Sequence, residues 1–173
     1  MAERIIATAG ATDANSFCTL AEAITILTDV LNADAFLGAE QAVQETALLQ
    51  ATRLLVVRVE WDLPPATGTQ ALPWPQRGAV DGMGRPLSAT VVPLVIKQAE
   101  ALYALALLQE AASGVTPADL AMIESFAIAG QASVTFGRGR PALALESIPG
   151  MVRELIAPYG AVHNGNTMRL LRA

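Results

Sequence analysis

The chain holds one histidine, His163, and one cysteine, Cys18. His163 stands beside the turn residues Asn164 and Gly165, with no acidic or cysteine partner near it in sequence. A metal centre needs three or four donors, so His163 reads as a solvent-exposed turn residue. Cys18 follows Asn15-Ser16-Phe17, and nothing marks a base to activate its thiol. It reads as a buried small hydrophobe. Asp119 and Glu124 are five residues apart and do not share a helix face. Gly137-Arg138-Gly139-Arg140 is similar to a fragment of a phosphate loop, but it lacks the lysine and the strand-to-helix context. It is either a solvated β-turn or a basic tip that touches nucleic acid or an acidic neighbour. Arg138 and Arg140 are therefore the DNA-facing candidates. No paired carboxylates, Ser/His/Asp set or nucleotide fingerprint is present. The expectation is a protein that is not an enzyme and uses no cofactor or metal.

The other notable constellation is Ala71-Leu72-Pro73-Trp74-Pro75-Gln76-Arg77-Gly78, followed by Asp81, Gly82 and Gly84. Proline fixes φ and pushes the residue before it toward extended geometry, so Leu72 and Trp74 are expected to be extended. Residues 62–92 form a connection of about thirty residues, beyond the usual length of a structureless loop. Stiffened by Pro64, Pro65, Pro73, Pro75 and Pro86, it is expected to be ordered. Trp74, Pro75 and Arg77 are the candidate anchor residues. They pack the loop onto its own core, meet a neighbouring protein, or do both.

These segments need a scaffold, and composition bounds it. The chain has 173 residues, 53% apolar and 16% charged. The charged share of an average domain is about a quarter. Such a chain either packs alanine-rich helices closely or buries surface against copies of itself. We expect one domain over residues 1–173, with no linker-like break. The net charge of −5 and a pI near 4.8 argue against tight, non-specific DNA binding. One cysteine permits no intrachain disulfide. The longest apolar run, residues 101–108, is far shorter than a membrane span, and the first ten residues lack a signal-peptide core. The chain reads as soluble and cytosolic.

The expected fold is mainly α: a helical bundle with a long ordered Pro/Trp loop and a small β-hairpin. Residues 4–9 are a candidate strand. Thr19 and Glu22 have capping-box spacing and open a helix over 20–31. A second helix covers 39–61, with Val43, Ala47, Leu54, Val57 and Trp61 on its inner face. A third covers 93–112 behind Pro93, a good first-turn residue. Lys97, Gln98 and Glu100 give its first half a wet face, and residues 101–108 form the centre of the core or of an interface. Shorter helices are expected at 117–125 and 148–157, with a hairpin at about 126–136.

The order of these features resembles the head–tail connector (adaptor) proteins of tailed phages, a family often labelled DnaT-like single-stranded-DNA-binding proteins. Four segments carry the resemblance, together with the Ala-, Glu- and Leu-rich helix opened by Pro93. Asp13-Ala14-Asn15-Ser16-Phe17-Cys18-Thr19-Leu20-Ala21-Glu22-Ala23 is similar to an Ala-Asn-Ser-Tyr stretch before a capped helix. Ala47-Leu48-Leu49-Gln50-Ala51-Thr52 matches an Ala-Leu-x-x-Ala-Thr segment. Residues 70–84 match a Gln-x-Leu-x-Trp-Pro-Arg-x-Gly signature followed by Asp and Gly. The end, Met168-Arg169-Leu170-Leu171-Arg172-Ala173, is like the family's short tail. Gln76 separates Pro75 from Arg77, Phe17 stands where tyrosine is usual, and the helix at 117–125 is a local elaboration.

The resemblance implies a structural protein of the virion neck, assembled in the host cytoplasm. It implies a homo-oligomeric ring, usually a dodecamer, that docks on the portal and presents a surface to a tail-side stopper or tail-completion protein. Genomic DNA then passes through the lumen in weak contact, which makes Arg138 and Arg140 lumen candidates. An acidic lumen repels DNA and lets it slide. The alternative takes the label literally, as a single-stranded-DNA-binding protein. Such a site needs a basic groove with stacking aromatics. The whole chain has two Trp, two Tyr and four Phe.

Overall fold

The computed structural model describes residues 4–113, 125–128, 132–135 and 148–162. Thr19, extended at φ −73° and ψ 161°, opens helix α1 (Leu20–Thr28). Its hydroxyl accepts from the Glu22 N–H at 3.2 Å, and the Glu22 carboxylate accepts from the Thr19 N–H at 2.9 Å. This is the expected capping box. The helix ends at Thr28, earlier than the expected residue 31. Asn32 then takes φ 60°, a left-handed conformation that asparagine tolerates. The turn leads into a four-residue helix, α2 (Asp34–Leu37), which sets Phe36 in the core.

Helix α3 (Gln41–Arg58) runs straight into strand β1 (Val59–Trp61). Helix α4 (Leu94–Ser113) follows the long loop, immediately after Pro93. A hairpin, β2 (Ser125–Ile128) with β3 (Ala132–Thr135), lies in the expected region. Helix α5 (Gly150–Ile156) and strand β4 (Gly160–Val162) complete the described chain. The fold is mainly α with a small hairpin.

Helix α4 is the hub, packed by α1, α2, α3 and α5. Its buried face carries Ile96, Ala99, Ala101, Tyr103, Ala104 and Leu105, and Ala47, Leu48, Ala51 and Leu55 face inward from α3. Alanines at these positions let helix axes approach closely, so part of the apolar excess is internal.

Four expectations are corrected. Residues 59–61 are not the end of a helix. They form β1, antiparallel to β4, with Trp61 opposite Gly160. A Cβ at Gly160 would stand 2.6 Å from the Glu60 carbonyl oxygen, so only glycine permits this approach. Residues 4–9 form no strand. Their backbone is held by Asn15 instead, whose Oδ1 accepts from the Ile6 N–H at 2.7 Å and whose Nδ2 donates to Arg4 O at 2.9 Å.

The inner face of α3 lies about one residue round from the expected one. Val43 and Val57 are exposed, and Gln44, Leu48, Thr52 and Leu55 are buried. The helix is apolar on most sides, so hydrophobic period could not choose a face. Hydrogen bonds chose it: Gln44 Nε2 donates to Phe36 O at 2.8 Å, and Thr52 Oγ1 is hydrogen-bonded to the Glu100 carboxyl. Glu100 gives the fourth correction. It belongs to no wet face and is completely buried, whereas Lys97 and Gln98 are half-buried. The expected helix at 117–125 lies outside the described residues, save Ser125, which begins β2.

Candidate functional site

The loop after β1 is built by one side chain and several backbone bonds. Gln70 Nε2 donates to Leu72 O at 2.6 Å and Pro75 O at 3.0 Å, and its Oε1 accepts from the Thr67 N–H at 3.0 Å. Pro65 and Gln76 form a bridge, with Ala66 N–H donating to Pro75 O at 2.9 Å. Arg77 Nη2 donates to Ala66 O at 2.9 Å. Further on, the Asp81 carboxylate caps a turn. It accepts from the N–H groups of Met83 and Arg85 and pairs with the Arg85 guanidinium at 2.7 Å. The Arg85 backbone contact, then its side chain, holds the Asp81 carboxyl below its ordinary range. Gly78 and Gly84, both at φ 78°, take the left-handed turns of this segment. The expected order of the loop is thus accounted for by internal bonds.

Trp74 is the loop's anchor. It is 1% exposed, and its ring stands edge-on to Trp61 of β1 and to Tyr159 beside β4, at centroid distances of 6.0 and 5.4 Å. These T-shaped contacts suit the ring quadrupoles. The Trp74–Pro75 peptide is cis. Pro75 is buried with Trp74, and Arg77 is exposed. Of the three candidate anchors, two therefore point into the chain's own core and one lies on the surface. Arg138, Arg140 and His163 lie outside the described residues.

The second cluster surrounds Glu100. Its Oε2 accepts from the N–H groups of Phe17 and Cys18 at 3.0 and 2.8 Å. Its Oε1 meets Ser16 Oγ at 2.6 Å and Thr52 Oγ1 in a still shorter contact. Burial raises the Glu100 carboxyl above its ordinary value, and the hydrogen bonds from Ser16, Thr52 and Cys18 only partly offset that. Burial also raises the Cys18 thiol, which leaves it a buried, unactivated side chain as expected. Sequence reasoning missed this cluster. The available signal was a lone acid leading into an uninterrupted apolar run.

The three segments singled out in the sequence at 13–23, 47–52 and 70–84 thus acquire physical roles. Ser16 and Cys18 from the first and Thr52 from the second meet at Glu100. Gln70 and Trp74 from the third build and dock the loop.

The surface is a separate matter. Leu31, Val57, Met83, Leu94 and Met151 are each at least 60% exposed. The aromatics whose side chains are described are not: Phe17, Phe36, Trp74, Tyr103 and Tyr159 are buried and Trp61 is half-buried. Lys97 pairs with Glu22 at 2.5 Å and Arg85 with Asp81. Burial would raise the Glu22 carboxyl, but Lys97 and Thr19 outweigh it and hold it below its ordinary value. Among the described residues, no group of three or more His, Cys, Asp or Glu is placed to hold a metal ion. No described helix is long and apolar enough to cross a membrane.

A family profile described as "Putative DnaT-like ssDNA binding protein" matches residues 4–173. The chain belongs to this DnaT-like family. No curated protein and no solved structure matches it. The match covers the Glu100 cluster and the Trp74 loop alike, so both lie within the family's shared region.

Proposed function

We propose that this member of the DnaT-like family is a non-enzymatic assembly subunit, a head–tail connector of a tailed phage. In this reading it forms a ring, of dodecameric type, on the portal and links the DNA-filled capsid to a stopper or tail-completion protein at the virion neck. One observation carries the reading. Among the residues whose side chains are described, no aromatic ring is exposed, while several large aliphatic side chains are. Single-strand binding needs the reverse, with rings exposed for base stacking beside a basic groove. Exposed aliphatics suit contacts between subunits. The net charge of −5 suits a channel past which DNA slides. The connector role itself rests on the resemblance of residues 13–23, 47–52 and 70–84.

The family's description favours the other reading, single-stranded DNA binding. Two measurements separate them. Light scattering on the free protein and on a protein–portal mixture is expected to show a ring in at least one; a monomer in both sinks the connector reading. A single-stranded DNA titration across salt concentrations is expected to show weak binding that vanishes near physiological salt. Submicromolar affinity at that salt would establish the alternative instead.

A further inference from the structure

Hydrogen positions around Glu100 follow from counting protons. Ser16 Oγ lies 2.7 Å from Cys18 O and 2.6 Å from Glu100 Oε1. Thr52 Oγ1 lies 3.0 Å from Leu48 O and closer still to Glu100 Oε1. A hydroxyl has one proton to donate. The Ser16 and Thr52 protons therefore cannot serve all of these oxygen–oxygen contacts. A proton on Oε1 supplies one of the two that are missing: Oε1–H donates to Thr52 Oγ1, and Thr52 donates onward to Leu48 O. Ser16 then donates to Oε1 or to Cys18 O. Oε2 is left as a carbonyl oxygen whose two lone pairs face the N–H groups of Phe17 and Cys18. One oxygen is placed as a donor and the other as a double acceptor, the pattern of a carboxylic acid.

The surroundings agree. Glu100 is 0% exposed, and its polar contacts among the described residues are to Ser16, Phe17, Cys18 and Thr52, none of them a cation. From the N-terminal segment it is faced by Ser16 and the Cys18 thiol, and from α3 by Thr52. Lys97, a turn earlier on α4, is paired with Glu22 of α1. Tyr103, a turn later, accepts from Arg58 of α3 at 3.1 Å. Among the described residues, α2 and α5 present it with no hydrogen bond or ion pair.

We propose that Glu100 is a neutral carboxylic acid in the folded protein and that its proton is a latch. While the proton is bound, the acid ties the segment around Ser16–Cys18 to α3 and α4. When it leaves to solvent, a bare carboxylate is left in the core and the segment is released. Burial raises the folded carboxyl above its ordinary value of 4.5, against the partial opposition of its hydrogen bonds. A raised folded value gives stabilisation that is complete below the unfolded value and is lost as pH rises through the folded one. The latch therefore weakens toward alkaline pH.

Infrared spectroscopy of the wild-type protein tests the protonation state. At neutral pH a carboxylic-acid carbonyl band that disappears in Glu100→Gln is expected. Its absence from the wild type overturns the proposal. Gln reproduces the acid's pattern, with its amide oxygen toward Phe17 and Cys18 and its N–H groups toward Ser16 and Thr52. The variant is expected to melt no lower than wild type at neutral pH, and higher as pH rises; a lower melting point that stays low in alkali counts against the neutral acid.

Release is read by labelling Cys18, the only cysteine, with its rate divided by that of the denatured chain at each pH. In the wild type, opening is expected to grow by about tenfold per pH unit until the folded value is reached, because one proton is lost. In Glu100→Gln it should not vary with pH. A pH-independent wild-type rate overturns the switch. These readouts use the subunit alone, so they fail or succeed independently of the connector role.

Discussion

Trp74→Ala is expected to lower the unfolding free energy of the isolated subunit by about 3–5 kcal/mol, the range for deleting a large buried aromatic. The ring fills the space between Trp61 and Tyr159, and both edge-on contacts vanish with it. Each is worth about 0.5–1.5 kcal/mol beyond area burial. The damage spreads, because β1 and β4 are three-residue strands whose only described partners are each other. They depend on this aromatic packing more than on their own ladder. Denaturant melts of Trp74→Ala and Trp74→Phe give the check. The indole N–H of Trp74 has no hydrogen-bond partner, so phenylalanine should restore most of the loss. Arg77→Ala removes one exposed bond to Ala66 O and should cost about 1 kcal/mol or less. Unchanged melting in Trp74→Ala, with assembly onto the portal lost, would instead place the ring at an interface between proteins.

Local signals in the sequence were legible where a bond is made within a few residues. The Thr19/Glu22 box, the start of α4 behind Pro93 and the turns at Gly78 and Gly84 are such cases. The stiffness of the Trp74 loop was legible for the same reason, since proline acts on its neighbours. What period and composition could not show were the long-range partners. Thr52 looks like an incidental polar residue in an apolar helix until Glu100, 48 residues on, is placed beside it. Glu100 looks solvated because Lys97 and Gln98 precede it. Only the approach of Ser16–Cys18 from the N-terminal segment supplies the donors that let a carboxyl be buried. β1 escaped notice because Val59–Trp61 continues a helical pattern, and its strand character comes from Gly160–Val162 alongside.

Leu105→Asp tests the placement of α4 at the centre of the fold, and it should leave no soluble folded protein. Leu105 is 4% exposed on the helix that α1, α2, α3 and α5 all contact. Losing its side chain costs about 2–5 kcal/mol through burial and cavity terms. The carboxylate adds several kcal/mol of desolvation unless it is protonated or paired. The sum rivals the whole stability of a domain, about 5–15 kcal/mol. Glu100, five residues earlier, shows what a carboxyl on this helix needs in order to be buried: two N–H donors and two hydroxyls arranged around it. No comparable set is seen at position 105, where the neighbours are the apolar residues of the core cluster. Leu105→Met, close in volume, should by contrast fold and melt within about 1.5 kcal/mol of wild type. Soluble expression and a thermal melt of both variants decide the matter. A cooperative transition in Leu105→Asp would mean that this face of α4 has access to water, and the packing of the helices around it would have to be redrawn.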